Sequence, residues 1–391
     1  MRRLLIVVIA LGALIALALF TVVPAAVDRN LNRVAPPSNL PVITADTHAL
    51  HASLFVADLH ADPLLWKRDL LTEIDHGHVD IPRLIRGGVA LQVFAAPTQV
   101  PAGINYESNE LDLDVVTALA ITQGWPRATW QSPFARAVHM ASILQDQADR
   151  SNGSFVIVRT AAELDRFAHA RAANSDQVAG LLAIEGLHAL EENLDNVDGL
   201  AAAGYRMMGL THFFDNEIGG SAHGISKAGL SDFGRSVITR MEERHIVIDL
   251  AHASPQMIDD VLAMAKTPVV VSHTGVRGTC DNVRNLSDDH VRRIAANGGV
   301  IGIGYWDAAI CDVNVDGIVR AIAYTARLAG VDHVGLGSDF DGATTTPFDT
   351  SELALITQGL VDADFSAEDI SKIMGANVRR VLAQVLPADT H

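Results

Sequence analysis

Histidines and carboxylates stand in this chain where a metal-assisted hydrolase would need them. His60 and Asp62 lie two residues apart after Phe55-Val-Ala-Asp-Leu, so both project from one side of an extended segment and can reach one ion. Imidazole with carboxylate suits zinc or another borderline divalent metal. Glu185 ends the otherwise apolar run Val178–Ile184, and a carboxylate emerging from a buried strand needs a partner. His252 follows Ile246-Val-Ile-Asp-Leu-Ala, and His273 follows Pro268-Val-Val-Val-Ser. Singly, each group fits a surface, capping or core role; together, at the ends of apolar runs, they read as a metal site. Five groups exceed what one tetrahedral zinc with an open position uses. The simplest allocation puts His60 and Asp62 on one ion, His252 and His273 on another, and Glu185 between them. Two ions so held supply a nucleophilic water at neutral pH and polarise an acyl oxygen, which is the chemistry of hydrolysis.

Three further residues complete such a site. Asp339, in Gly335-Leu-Gly-Ser-Asp-Phe-Asp-Gly342, is placed to take a proton from the attacking water and hand it to a leaving amine. His212, after Gly209-Leu-Thr, is placed to donate to a developing oxyanion or, more simply, to bond a neighbouring loop. Arg284, in the loop after His273, would clamp a substrate carboxylate, with a surface salt bridge as the plainer alternative. Asp341 reads as a turn or cap residue. The pair His76-Gly-His78 reads as surface, and His188 as either a partner orienting Glu185 or a structural group. Asp80, Asp249 and Asn377 read as structural hydrogen-bonding residues.

The elements that would position these groups are eight short apolar runs beginning at Phe55, Val89, Val178, Tyr205, Ile246, Pro268, Gly299 and Val334. Such β-branched runs alternating with longer helical patterns imply parallel strands buried on both faces. Eight units fit an α/β fold of the (β/α)8 TIM-barrel type, in which C-terminal strand ends converge on one mouth. The longest excursion, about Pro97 to Gln177, is an insertion after strand 2 that should cover one side of that mouth. Ser254-Pro255, Ser287 and Ser366 with Asp369 mark helix starts, the last opening a helix through Val378–Leu382. With 391 residues, 49% of them hydrophobic, the chain has material for one large domain over residues 51–391. A formal charge of −17 argues against nucleic acid as a partner.

The N-terminus is of another kind. Arg2 and Arg3 precede an uncharged, largely apolar stretch from Leu4 to Val27, long enough to span a membrane as a helix. Residues 1–27 are therefore expected to be a membrane anchor that leaves the remainder extracytoplasmic, with a cleaved signal as the alternative, because Val23 and Ala25 suit processing. Residues 28–50, with Pro36-Pro37 and Pro41, read as a linker. Cys280 and Cys311 are too few for a disulfide scaffold or a cysteine-based zinc site, and from the residues alone they either pair or stay free.

These motifs together resemble the membrane (renal) dipeptidases, a branch of the metal-dependent barrel hydrolases, over roughly residues 50–385. The likeness is carried by Asp58-Leu-His-Ala-Asp62, Val79-Asp-Ile-Pro-Arg83, Ile184-Glu-Gly-Leu-His188, Gly209-Leu-Thr-His212, Gly229-Leu-Ser-Asp-Phe-Gly234, Ile248-Asp-Leu-Ala-His252, Ser272-His273, Val283-Arg-Asn285 and Gly337-Ser-Asp-Phe-Asp-Gly342. The resemblance implies two zinc ions held by His60, Asp62, Glu185, His252 and His273, with Glu185 bridging. It also implies substrate contacts from His212 and Arg284, proton handling by Asp339, and a Cys280–Cys311 disulfide. It implies cleavage of dipeptides, with tolerance of a D-residue at the C-terminal position. Related amidohydrolases acting on N-acyl amino acids, lactones or β-lactams are the alternative. Expected partners are small dipeptides and, through the N-terminal helix, a membrane, with a homodimer left open. Where relatives carry a tyrosine in the seventh loop this chain has Ala308, with Tyr305 and Trp306 close by.

Overall fold

The computed structural model describes residues 3–7, 18–38 and 40–389. Each of the eight apolar runs forms a strand: β1 (Val56–Ala61), β2 (Val89–Pro97), β3 (Val178–Glu185), β4 (Tyr205–Gly209), β5 (Val247–Asp249), β6 (Val270–Thr274), β7 (Val300–Ile303) and β8 (Val334–Leu336). All pairings among them are parallel, and β8 pairs with β1 while β2 pairs with β3, so the sheet closes into a barrel. Every residue of β1, β2 and β3 is buried, as the lack of polar alternation in these runs requires. One apolar cluster draws Leu59, Leu91, Val93, Leu181, Met207, Val247, Val270 and Val300 from seven of the eight strands.

The helix starts fall where the caps place them. Ser254 accepts from Met257 N ahead of helix Pro255–Met264, and Ser287 accepts from His290 N ahead of Asp288–Ala296. Ser366 caps Ala367–Ser371, but the expected continuous last helix is interrupted through Lys372–Ala376 before resuming at Asn377–Val385. At that interruption Gly375 lies so close to Phe55 that a Cβ would stand 1.9 Å from the carbonyl oxygen. The insertion after β2 holds helices Val115–Gln123, Pro133–Arg150 and Ala161–Arg171 and a short strand, Phe155–Ile157, added to the edge of β3.

The N-terminal region is more structured than a linker. Among the described residues no helix is long and apolar enough to cross a membrane, and residues 8–17 of the expected anchor lie outside the described residues. The stretch read as a linker from residue 28 packs on the barrel. Helix Val23–Leu31 is followed by Arg33–Val34, which pairs in parallel with Thr345–Thr346, and Ala45–Ala52 is a further helix. Asp28 is buried in an ion pair with Arg68, whose Nη1 lies 2.7 Å from Asp341 Oδ2. Opposite charges shared between this helix and two loops fix the arm in place.

Candidate metal centre and active site

The groups named at the strand ends meet in one cavity. His60 Nε2 lies 3.3 Å from Asp62 Oδ2, 3.6 Å from Glu185 Oε1 and 4.0 Å from Asp339 Oδ1. His252 Nε2 and His273 Nε2 approach the same Glu185 oxygen at 3.1 and 3.4 Å, while His212 Nε2 lies 3.3 Å from Glu185 Oε2. Glu185 is thus the hub, offering one oxygen to three imidazoles and the other to a fourth. Three overlapping ligand sets result: His60 with Glu185 and His273, Glu185 with His212 and His252, and His60 with Asp62 and Asp339, each with its donor atoms within 4.8 Å of one another. His212 and Asp339, read from sequence as substrate and proton groups, therefore also stand at ligand distance from the five expected metal residues.

A divalent cation fits this donor set. His60 Nε2 and Asp62 Oδ1 are buried with no hydrogen-bond partner, a costly arrangement unless something else satisfies them. Gly342 keeps the space open beside them, since a Cβ there would meet Asp339 Oδ1 at 2.0 Å and Asp62 Oδ2 at 2.8 Å. The backbone is also bent for the purpose: His252 and Asp339 adopt left-handed φ of 62° and 60°. Such conformations cost roughly 1–3 kcal/mol each and persist only where the surroundings impose them.

Supporting bonds hold the ligands from behind. Asp58, fully buried, accepts from His60 N, Gln92 Nε2, Ser338 N and Ser338 Oγ, which ties β1, β2 and β8 together beneath the site. Asp249 accepts from Ala251 N and Ser272 N and so fixes the turns leading to His252 and His273. Asp80 caps helix Ile81–Arg86, and Asn377 donates to Val331 O and Val334 O. His188 does not reach Glu185; its Nε2 pairs with Thr98 Oγ1 at 2.8 Å, and burial pushes it down to about 3.

Charge is strongly redistributed among these buried groups. Burial, with Asp62 and Asp58 adding to it, pushes the Asp339 carboxyl up to about 8 against the pull of His60 and Arg284. Burial likewise raises Glu185 well above the ordinary carboxylate range. His60 goes the other way: burial opposes its cationic form, yet Asp62, Glu185 and Asp339 lift it to about 10. Burial, then the charges of Arg284 and neighbouring histidines, pulls His252 well below its usual value. Such a crowd of buried ionisable groups with displaced charges marks a functional site, and its donor set could hold a cation.

Arg284 is buried and donates from Nη2 to His273 O at 2.7 Å, with its guanidinium 5.3 Å from the Trp306 ring. It lines the cavity and is not on the outer surface, so the surface salt bridge considered for it does not form. The loop that carries it is clipped by the Cys280–Cys311 disulfide and by Asn285, which donates to Cys280 O and Ala308 O. Trp306 takes the wall position near the missing tyrosine, whereas Tyr305 is buried against Phe340.

Asp341 and His78 prove to be framework. Asp341 accepts from His78 N and Val79 N, and burial's cost to its charge is overcome by Arg68 and His78, which hold its carboxyl well below the usual range. His78, read as a surface residue, is fully buried between Asp341 N and Arg33 O. Sequence reasoning also missed His223. It stacks on Phe213, bonds Tyr106 O through Nδ1 and stands 5.2 Å from the His252 ring, with Nε2 buried and unpartnered. Its only signal was a histidine among the glycines of the loop after β4.

Comparison with known proteins agrees with this geometry. Residues 44–390 match the family described as membrane dipeptidase, peptidase family M19. An uncharacterized dipeptidase of Schizosaccharomyces pombe is 31% identical over 221 residues, 53% of this chain and 53% of that protein, so the chain aligns with about half of that relative. Dipeptidase tcpJ of Claviceps purpurea is 28% identical over 320 residues, 79% of this chain and 69% of that one. A crystal structure of a Rhodobacter sphaeroides metallopeptidase, liganded with a phosphinate mimic of the dipeptide L-Ala-D-Ala, superposes with a TM-score of 0.68 at 23% identity, covering 85% of this chain and 99% of that one.

Proposed function

Because this chain belongs to the membrane dipeptidase family, whose members are metallopeptidases, we propose that it is a dinuclear zinc dipeptidase that cleaves dipeptides bearing a free C-terminal carboxylate. The observation that carries this reading is the convergence of His60, His252 and His273 on Glu185 Oε1, all within 3.6 Å. His60 and Asp62 would hold one ion and His252 and His273 the other, with Glu185 between. Bound there, divalent ions lower the pKa of water and polarise a carbonyl.

The chain's own residues do the rest. Arg284, fixed by His273 O and the disulfide-clipped loop, lines the cavity and takes the terminal carboxylate through its guanidinium. That contact admits substrates whose chain ends one residue beyond the cut. His212 Nδ1 faces Gln99 O at 3.3 Å, which orients the ring so that Nε2 looks into the site, toward the scissile carbonyl. Asp339, whose Oδ1 stands 4.0 Å from His60 Nε2, takes a proton from the attacking water and delivers it to the departing amine. A D-residue at the C-terminal position is part of the proposal, because Arg284 grips the carboxylate and not the side chain. We also propose export, with the apolar N-terminal segment as membrane anchor or cleaved signal.

The test is metal analysis of the purified protein followed by a panel of dipeptides with L and D second residues. About two zinc ions per chain and turnover of several dipeptides is the expected result. Stoichiometric zinc with no hydrolysis of any member would replace this reading with a binding role. A second reading, hydrolysis of N-acyl amino acids, lactones or β-lactams on the same metals, draws support from one observation: the cavity of about 420 Å³ beside the ligands is mainly apolar.

A further inference from the structure

Beyond the metal groups the cavity opens into a chamber whose lining includes Leu31, Trp66, Val100, Ile104, Val116 and Leu119. Its charged lining residues, among those described, are Asp62, Glu185, Arg284 and Asp339, each already engaged at the metal or carboxylate positions. Nothing else there would satisfy a second charge. The chamber is assembled from the segment after β1, the insertion after β2 and the N-terminal arm. Arg284 follows β6, and in the closed strand order β2 and β6 are separated by three strands on either side. Carboxylate clamp and chamber therefore arise from opposite sides of the mouth, with the metal ligands between them. A substrate held by its carboxylate and cut at the centre extends its acyl side into the chamber.

Part of the chamber's lining comes from the N-terminal arm. Family similarity begins at residue 44, yet Leu31 lines the cavity from outside that region. The arm is tied to the catalytic loop itself. Asp28 and Asp341 share Arg68, Asn32 Oδ1 accepts from Ala343 N at 2.9 Å, and Arg33–Val34 pairs with Thr345–Thr346. Ala343 and Thr344, four and five residues past Asp339, also line the cavity.

We infer that the N-terminal arm is part of the active site, and that it completes an apolar chamber which selects substrates with a large uncharged group on the acyl side of the scissile bond. That group is either the side chain of a dipeptide's first residue or the acyl chain of an N-acyl amino acid. The inference rests on the hydrolase reading above and specifies its substrate.

The experiment uses the full-length zinc-loaded protein and two series ending in alanine: Gly-, Ala-, Leu- and Phe-Ala, and N-acetyl-, N-hexanoyl- and N-decanoyl-alanine. Within whichever series is cleaved, kcat/KM should rise about tenfold or more from the smallest to the largest apolar member, since each buried methylene discriminates to that order. Leu31→Asn, at a half-exposed rim position, should lower kcat/KM for the largest member roughly fivefold more than for the smallest, by the same reasoning. Val42→Asn, on an exposed residue outside the cavity, should leave that ratio alone. A flat or falling series in an active enzyme, or a Leu31→Asn loss equal for all members, overturns the chamber while leaving the hydrolase reading intact. No turnover in either series overturns both.

Discussion

The polar floor of the cavity is set by strand ends. His60, Glu185 and His273 lie within β1, β3 and β6, with His252 and Asp339 three residues beyond β5 and β8. The apolar wall is set by segments with no barrel strand, namely the arm at Leu31 and the insertion from Val100 to Leu119. The floor binds charge and has its atoms fixed by buried networks such as the one around Asp58. The wall excludes charge and is fixed by two buried arginines, Arg68 tying the arm through Asp28 and Asp341 and Arg136 tying the insertion through Thr98 O and Thr117 Oγ1. In one cavity, chemistry is assigned to the strand ends and selectivity to the segments added around them. Changes to the floor should abolish turnover, and changes to the wall should redistribute it.

The largest effect is expected at the floor's proton group. Asp339→Asn keeps the size of the side chain but cannot exchange a proton, and should lower kcat about a thousandfold while the protein remains folded by circular dichroism. Near-normal kcat would move proton transfer elsewhere in the site. Arg284→Met comes next. It should lower kcat/KM about a hundredfold for free dipeptides, the cost of losing a charge-assisted pair, and much less for dipeptide amides, which never use the clamp. Equal losses for acids and amides would show that Arg284 orders the loop and does not grip the substrate.

Metal loading gives the floor a pH signature. In the metal-free site burial favours the neutral forms of Asp339, raised to about 8, and Glu185, while those neighbouring carboxylates that ionise keep His60 cationic, so the cluster carries protons at neutral pH. Cations require their ligands His60 and Glu185 in deprotonated forms, so binding must expel protons. Apparent zinc affinity should therefore rise with pH through neutrality. Calorimetry at pH 7 in buffers of different ionisation enthalpy would detect the release, and binding that takes up no buffer signal would contradict the charge states assigned here.

The same contrast explains what could be read from the sequence. Strand ends are legible because apolar runs are short, period and position are visible, and a polar residue at the end of such a run stands out. All eight runs became strands, and all five expected ligands reached one cavity. The wall was not legible, since its contacts join residues far apart with no local pattern. Asp28 and Asp341 share Arg68 across 313 positions of chain, so the arm read as linker and His78 as surface. The left-handed turns at His252 and Asp339 likewise follow from tertiary packing, because neither residue is glycine. Pairing of Cys280 with Cys311 came from family likeness, as spacing alone left it open.

Cys311→Ala probes how far the floor depends on its loop. Opening the disulfide should cost about 2–5 kcal/mol of unfolding free energy. Because that bond braces the loop holding Arg284, KM for free dipeptides should rise severalfold before kcat moves. A fall in kcat alone would place the effect on the ligands and not on the clamp.

Asp341→Asn tests the wall's fastening and should affect chemistry least while marking stability most clearly. Asp341 and Asp339 are two residues apart, both buried on left-handed backbone, yet Arg68 and His78 hold the first carboxyl far below its usual range while burial lifts the second to about 8. A depressed acid stabilises the fold above its unfolded pKa of about 3.9, and that contribution fades as pH falls toward the native value. Leaving Arg68 with one partner should cost about 3 kcal/mol at neutral pH. Unfolding metal-free wild-type and variant protein in urea at pH 7 and pH 3 should show the gap shrinking at the lower pH. A gap that is constant or wider in acid would mean that the arm is held by its hydrogen bonds and strand pairing, and that the Arg68 ion pairs contribute nothing to closing the chamber.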